Sequence, residues 1–204
     1  MYRRTAIIVY AFLFLLLSGC ATTPPQNIDN ACEIFREKGD WYKYSKRTFE
    51  RYGVPIHVQL AIIHQESKFL YDAQPGREWI FGIIPWFRPS TAYGYAQVKD
   101  ETWDWYRTKT GRFGDDRDDY GDAVNFIGWY ADLSHKTLGI SKWDAYKLYL
   151  SYHEGQGGFK RKTYLQKPWL VKVAQKVKRR AGRYGSQLKS CQASLDRGAW
   201  WWPF

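Results

Sequence analysis

The sequence predicts an all-α fold. Apolar residues recur at helical spacing in several segments, and a glycine or proline stands at most of the expected helix ends. Strand signals are few, with no long alternating run and no turn dipeptide between apolar segments. The 204 residues, 45% of them apolar and 25% charged, suffice for one domain with a short extension at each end. We therefore expect one helical domain over residues 30–192.

The helices are predicted in order from their start and stop signals. The first runs from Glu33 to Lys38, and the second is capped by Asp40 and stops at Gly53. Pro55 is the first residue of a third helix reaching about Phe69, with one apolar stripe. Later helices are expected over the following spans: 100–110, 122–138, 142–153 with a capping box of Ser141 and Asp144, and 168–184. The span 72–99 is predicted as a loop with a small hairpin.

The N-terminus has the features of an export signal. Arg3 and Arg4 precede an apolar run, residues 6–17, that is too short to span a bilayer comfortably. The run ends in Leu-Ser-Gly-Cys20, which resembles the bacterial lipobox. The resemblance implies that residues 1–19 are a cleaved lipoprotein signal peptide and that residues 20–29 are a lipidated tether. The alternative is a plain signal peptide, which needs only small residues at its cleavage site.

Lipidation of Cys20 would make a membrane one of the partners. Because Ala21 rather than Asp follows the cysteine, the resemblance implies anchoring to the outer membrane of a Gram-negative cell, facing the periplasm. The formal charge of +11 suits an anionic polymer or lipid, and export argues against nucleic acid. Lysines and arginines that merely solvate helix faces would give the same charge.

Two further cysteines, Cys32 and Cys191, remain if Cys20 is acylated. An even pair in an oxidising compartment favours a disulfide between the two ends of the domain. Two buried free thiols are the alternative.

Glu66 is the candidate catalytic acid. It ends an apolar helical segment, Ala61-Ile-Ile-His-Gln-Glu66-Ser67, where partial desolvation raises the pKa of a carboxyl. A carboxylic acid that keeps its proton near neutrality can donate it to a glycosidic oxygen. A glutamate near a helix end is more often a solvated surface residue, so the segment alone does not identify a site.

Two later segments strengthen the case. The first is Tyr93-Gly94-Tyr95-Ala96-Gln97-Val98, and the second is Ser151-Tyr152-His153-Glu154-Gly155 at the end of a helix. Together with Glu66-Ser67, their order and spacing resemble the soluble lytic transglycosylases, over roughly residues 50–165. That family has a goose-type lysozyme-like fold and cleaves the glycan strands of peptidoglycan, whose carboxylates suit a basic protein.

The resemblance carries over by position. Glu66 matches the family's acid/base and Ser67 its neighbouring serine. Gly94 and Gln97 match residues that line the glycan groove, while Tyr95 and Ala96 replace Leu and Met. Tyr152 matches the aromatic beside the acid. His153 and Glu154 stand where the family has Asn and Ala. The expected substrate-binding residues are thus Ser67, Gly94, Tyr95, Gln97, Tyr152, His153 and Glu154.

The implied reaction needs one carboxyl. Glu66 protonates the oxygen between N-acetylmuramic acid and N-acetylglucosamine, and then takes the proton of the C6 hydroxyl as a 1,6-anhydro ring closes. A lysozyme-type hydrolase needs a second carboxylate. Glu154 is the candidate, with Asp72 and Glu78 as weaker ones. The alternative for Glu154 is a rim residue that binds a peptide amine or water.

Aromatic residues near the motifs are candidate sugar platforms, and 19% of the chain is aromatic. The candidates near the motifs are Tyr152, Tyr93, Tyr95 and Trp103. In the 72–99 loop, Trp79, Trp86 and Phe87 belong either to a lid or an added subsite, or simply to the packing of the domain. Trp103 is as easily a core residue. The tail, residues 193–204, ends in three tryptophans and could meet a membrane, a sugar or the domain itself.

No cofactor or metal is predicted. His153-Glu154 lacks the second histidine of a zincin, because residue 157 is Gly157, and the Asp115–Asp119 run lacks EF-hand spacing. Two classes of function remain. The first is a glycan-cleaving enzyme, and the second is a lipoprotein that binds peptidoglycan without cutting it.

Overall fold

The computed structural model describes residues 23–77, 79–80, 84–85 and 88–198. The predicted signal peptide, Cys20, Glu78, Trp86, Phe87 and the last six residues of the tail lie outside this part of the chain, as does the side chain of Trp79.

The all-α prediction is confirmed. Within the described residues there are seven α-helices and one 3₁₀ turn. The helices are α1 (Ala31–Glu37), α2 (Gly39–Tyr52), α3 (Ile56–Ser67), α4 (Asp100–Thr110), α5 (Tyr120–Leu138), α6 (Ala145–Lys160) and α7 (Pro168–Asp196), and the 3₁₀ turn is Thr163–Gln166. Strands β1 (Trp79–Ile80) and β2 (Ile84–Pro85) pair antiparallel, with Ile80 opposite Ile84, which is the small hairpin expected in the 72–99 loop.

Helix α3 lies at the centre of the domain and packs against α2, α5, α6 and α7. The sequence predicts one apolar stripe, yet nearly the whole helix is buried, including the polar side chains of Gln59 and His64. Gln59 donates to the carbonyl oxygens of Ser45 and Val54, at 3.2 and 2.7 Å. These bonds satisfy its amide nitrogen inside the core. The helix that carries Glu66 in its last turn is therefore held in place by four neighbouring helices.

Three predicted helix starts are wrong, because the capping residue differs from the expected one. Asp40 lies in the first turn of α2, after Lys38, which makes no side-chain cap. Pro55 precedes α3 rather than opening it. Helix α6 begins at Ala145, because the side chain of Asp144 accepts from the backbone N–H of Lys147, while Ser141 bonds only the N–H of Trp143.

Two helices run further than predicted. Helix α6 continues to Lys160 across a kink at Gly155, whose φ of 72° lies outside the helical region. Helix α7 continues to Asp196, so the first residues of the predicted tail are helical. Its buried residues recur at helical spacing as far as Cys191, and this burial against α1, α3 and α6 explains its length.

The start of the domain is tied to α7. Cys32 and Cys191 form a disulfide with their Cα atoms 6.0 Å apart. Residues 25–29, which the sequence places in the tether, also pack on the domain. The carbonyl oxygen of Ile28 accepts from the Tyr184 hydroxyl and lies 3.1 Å from Nδ1 of His64. The described end of the N-terminal segment is thus anchored beside α3 and α7.

None of the described helices has both the length and the apolar character needed to cross a membrane.

Candidate active site

A cavity of about 420 Å³ lies where the C-terminal end of α3 meets the segment 92–102 and helices α5 and α6. Its lining joins the three sequence motifs, which are far apart along the chain. The lining includes Glu66, Gln97, Phe126, Tyr130, Tyr152, His153 and Glu154. Of the predicted site residues, the structure therefore brings five together: Glu66, Gln97, Tyr152, His153 and Glu154.

Glu66 stands in the last turn of α3, and the chain reverses directly after it. Lys68 and Phe69 both have positive φ, 52° and 65°, a conformation that side chains disfavour. The buried hydroxyl of Ser67 supports this turn by donating to the Ile63 carbonyl oxygen at 3.3 Å and accepting from the Phe69 N–H at 3.1 Å. The hydroxyl of Ser67 thus bonds the backbone at the helix end and is buried away from any substrate. The prediction that Ser67 binds substrate is therefore wrong.

The carboxyl of Glu66 is partly exposed to the cavity and closely surrounded by protein. Desolvation raises its pKa from 4.5 to about 7, against a hydrogen bond from Tyr149 that favours the charged form. Near neutral pH a substantial fraction of this carboxyl is therefore protonated. It can act as a general acid and, once ionised, as a base.

Tyr152 forms one wall of the cavity. Its hydroxyl donates to the carbonyl oxygen of Ala96 at 2.5 Å, and its ring meets that of Tyr130 edge to face, with centroids 5.4 Å apart. Burial and the nearby Glu66 raise the pKa of Tyr152 well above its ordinary value. Tyr152 therefore holds the 93–98 loop against α6 and stays neutral beside the acid.

The 93–98 loop owes its shape to Gly94 and Gln97. Gly94 has φ of 75°, and an added Cβ would overlap the backbone of Arg117. Gln97 also has positive φ, 49°, and its amide nitrogen donates to the carbonyl oxygens of Ala73 and Gly94, at 2.7 and 3.0 Å. Its Oε1 bonds no other described residue and can accept from a ligand. Gly94 is buried and absent from the cavity wall, so its predicted contact with substrate is replaced by a backbone role.

Two predicted sugar platforms are core residues instead. Tyr95 is 1% exposed and packs edge to face on Trp41 and Tyr120. Trp103 is 4% exposed and packs on Tyr106 and Phe126. Neither ring is a sugar platform, because Tyr95 lies among consecutive buried residues of the loop and Trp103 lies on the buried face of α4 with Tyr106.

Tyr93 is partly exposed but does not line the cavity. Its hydroxyl donates to Asp118 at 3.1 Å, and the guanidinium of Arg117 lies 5.3 Å from the centroid of its ring.

Glu154 lines the cavity, yet its carboxylate is turned into the protein. Its side chain is 4% exposed and accepts from Lys167 Nζ at 2.7 Å, from His153 Nδ1 at 3.0 Å and from the Thr163 hydroxyl. Desolvation opposes ionisation, but these hydrogen bonds prevail and lower the pKa of Glu154 to about 2. A carboxylate so weakly basic and so fully bonded is poorly suited to activate water or to bind a peptide amine.

Tyr149, Tyr130 and Phe126 are site residues that sequence reasoning missed. Tyr149 precedes Tyr152 by three residues, so the two rings share one face of α6. That spacing was visible in the sequence. The contributions of Tyr130 and Phe126 from α5 depend on helix packing, which the motifs do not encode.

Among the described residues, no group of three histidine, cysteine or acidic side chains is close enough to hold a metal ion.

The class of protein follows from these features: a helical domain with one desolvated glutamate in a cleft and aromatic walls. Residues 8–191 match the model of the transglycosylase SLT domain family, and the chain belongs to that family. No curated protein and no solved structure gives a significant match to the chain. Membership implies a transglycosylase-type enzyme that acts on the glycan strands of peptidoglycan.

Proposed function

We propose that this protein is a peptidoglycan lytic transglycosylase in which Glu66 is the only catalytic carboxyl. Glu66 protonates the oxygen that links N-acetylmuramic acid to N-acetylglucosamine. The bond between C1 of N-acetylmuramic acid and this oxygen breaks, and N-acetylglucosamine leaves with the proton on its new hydroxyl. The ionised carboxylate then removes the proton of the C6 hydroxyl, and the attack of that oxygen on C1 closes the 1,6-anhydro ring. No water is consumed.

The observation that carries the proposal is the contrast between the two carboxyls of the cavity. Burial raises the pKa of Glu66 to about 7. Glu154 instead stays ionised, because it accepts hydrogen bonds from the side chains of Lys167, Thr163 and His153. The intramolecular reaction needs one group that first donates a proton and then accepts one, and a carboxyl whose pKa lies near neutrality can do both. Hydrolysis assisted by Glu154 would need that carboxylate to face a water molecule on the far side of the sugar.

Digestion of purified sacculi tests the chemistry. We expect wild type to release products that carry anhydro ends, one water lighter than reducing ends and resistant to borohydride. Glu66→Gln should lower the rate at least about 10³-fold, because the amide cannot transfer the proton. Glu50→Gln, which changes an exposed glutamate on α2, is the matched control and should keep full activity.

Other outcomes separate the alternatives. Borohydride-reducible ends would establish lysozyme-type hydrolysis and return Glu154 to consideration. Sacculi that bind wild type but stay intact would identify a peptidoglycan-binding lipoprotein without catalysis.

We also propose that Cys20 carries a lipid that anchors the protein to the outer membrane, facing the periplasm. The support is the lipobox-like sequence alone. Metabolic labelling with an alkyne fatty acid should label wild type and not Cys20→Ser. Fractionation should then find wild type with outer-membrane lipid, and the variant should be lost from that fraction.

A further inference from the structure

A cluster of side chains at the edge of the cavity is not required by the proposed reaction. Its centre is Glu154, whose carboxylate receives Lys167 Nζ, His153 Nδ1 and the Thr163 hydroxyl. The glutamate is 4% exposed, whereas the side chains of Lys167 and His153 are 41% and 35% exposed. The buried carboxylate thus holds two exposed groups in place.

The hydrogen bond to Glu154 fixes the state of the His153 ring. A carboxylate only accepts, so Nδ1 carries the proton and, in the neutral ring, Nε2 is the acceptor. Nε2 makes no hydrogen bond within the described part of the chain. His153 also lines the cavity, so it can offer this acceptor to a ligand.

Trp169 extends the cluster along the surface. It follows Pro168 at the start of α7, is 54% exposed, and meets the His153 ring edge to face with centroids 5.2 Å apart. Lys167, two residues earlier, is the residue bonded to Glu154. One buried carboxylate therefore holds the start of α7 and the histidine of α6 together.

We propose that Trp169 and His153 form a sugar-binding subsite next to the catalytic cavity, with Glu154 as the positioning residue that holds it. The subsite takes an N-acetylated sugar unit of the glycan. One face of the pyranose ring, lined with C–H groups, lies on the exposed indole of Trp169. Nε2 of His153 accepts from the N–H of the acetamido group. The proposal rests on the proposed function for the identity of the glycan.

The chemistry favours a sugar over other ligands. The exposed tryptophan supplies a flat apolar face, and the histidine supplies one directed acceptor, a combination typical of small-molecule sites. The charges of Lys167 and Glu154 cancel in their ion pair. The cluster therefore offers no strong attraction to a purely ionic ligand.

Binding is measured without turnover, in the Glu66→Gln background, so that the result does not depend on catalysis. The probe is an N-acetylglucosamine hexasaccharide, titrated by calorimetry. Trp169→Ala should weaken binding about three- to tenfold, as expected for the loss of one aromatic contact. The matched control is Trp143→Ala. Trp143 is 66% exposed and likewise pairs with a histidine, His57, but lies on another face of the domain, so binding should be unchanged.

The role of His153 is tested with a second ligand. Cellohexaose has the same β-1,4 backbone but no acetamido groups. His153→Ala should lower the preference for the acetylated ligand about three- to tenfold, the value of one hydrogen bond. Glu154→Ala should lower the preference as much, because the ring then loses the hydrogen bond that fixes its tautomer and orientation. Glu154→Gln should retain it, because the amide oxygen still accepts from Nδ1–H.

The outcomes are separable. Equal binding by Trp169→Ala and Trp143→Ala would overturn the platform. An unchanged acetamido preference in Glu154→Ala would overturn the positioning role. The side chains of Trp169 and His153 are both exposed, so Trp169→Ala and His153→Ala should fold, and a melting curve checks this. Activity that survives Glu66→Gln would instead refute the proposed function and leave the binding results standing.

Discussion

The hydroxyl of Tyr149 interacts with the carboxyl of Glu66 and lowers the pKa of that acid. This interaction joins α6 to the end of α3 and opposes the effect of desolvation on the pKa of Glu66. Burial pushes the pKa of Glu66 upward, and the hydroxyl of Tyr149 pulls it down. The proton affinity of the proposed catalytic group therefore depends on a residue that the motifs do not include.

Tyr149→Phe should move the pH profile of activity. Without the hydroxyl, the ionised form of Glu66 loses its donor, so the pKa rises further above 7. Because the first step needs the protonated acid, the alkaline fall of kcat/KM should shift to higher pH. Rates of sacculus solubilisation between pH 5 and pH 9 measure this shift. Tyr146→Phe, on the same helix, is the control because Tyr146 does not act on the pKa of Glu66. A shift in both variants would argue against a specific role of Tyr149.

Glu66→Gln should stabilise the folded protein at alkaline pH. The folded chain keeps a proton on Glu66 up to about pH 7, whereas the unfolded chain releases it near pH 4.5. Wild type therefore loses stability as pH rises through this window. Between pH 4.5 and pH 7 the free energy of unfolding of the variant should therefore gain about 3 kcal/mol relative to wild type, since one pKa unit corresponds to about 1.4 kcal/mol. Urea unfolding at pH 5 and pH 8 checks this, and a gap that fails to widen with pH would mean that Glu66 is well solvated.

Gly94→Ala should disrupt the 93–98 loop. An added Cβ overlaps the Arg117 backbone, and the φ of 75° disfavours any side chain. Gly111 has a φ of 71° with no atom near its Cβ position, so Gly111→Ala isolates the conformational cost at about 1–2 kcal/mol. Gly94→Ala should cost more than about 3 kcal/mol, because the overlap adds to that strain. Equal losses in chemical unfolding would contradict the predicted overlap.

Removal of the disulfide should destabilise the domain as a whole. Cys32 and Cys191 are separated by 159 residues, so the bond constrains nearly all of the unfolded chain. The double variant Cys32→Ser, Cys191→Ser should lose about 2–5 kcal/mol. Reductant should lower the melting temperature of wild type and leave that of the double variant unchanged. If reductant leaves wild type unaffected as well, the bond contributes little.

The sequence determined more of the fold than of the site. Glycine after α2, α4 and α5 marked those helix ends, because Gly53, Gly111 and Gly139 adopt the left-handed conformation that ends a helix. The starts of the helices are less predictable from the sequence than their ends. Several acidic or hydroxyl residues stood near each one, and only the folded backbone decides which side chain reaches the free N–H groups.

Within the site, the sequence predicted the candidate acid and the segments around it, because Glu66, Gln97 and Tyr152 stand in short motifs that resemble those of a known family. The tertiary structure decided which way the neighbouring side chains face. Packing turned Tyr95 and Trp103 into the core. It also paired Glu154 with Lys167 and brought Tyr149 to Glu66. Such choices depend on contacts between helices far apart in the chain, and a motif read along one segment does not contain them.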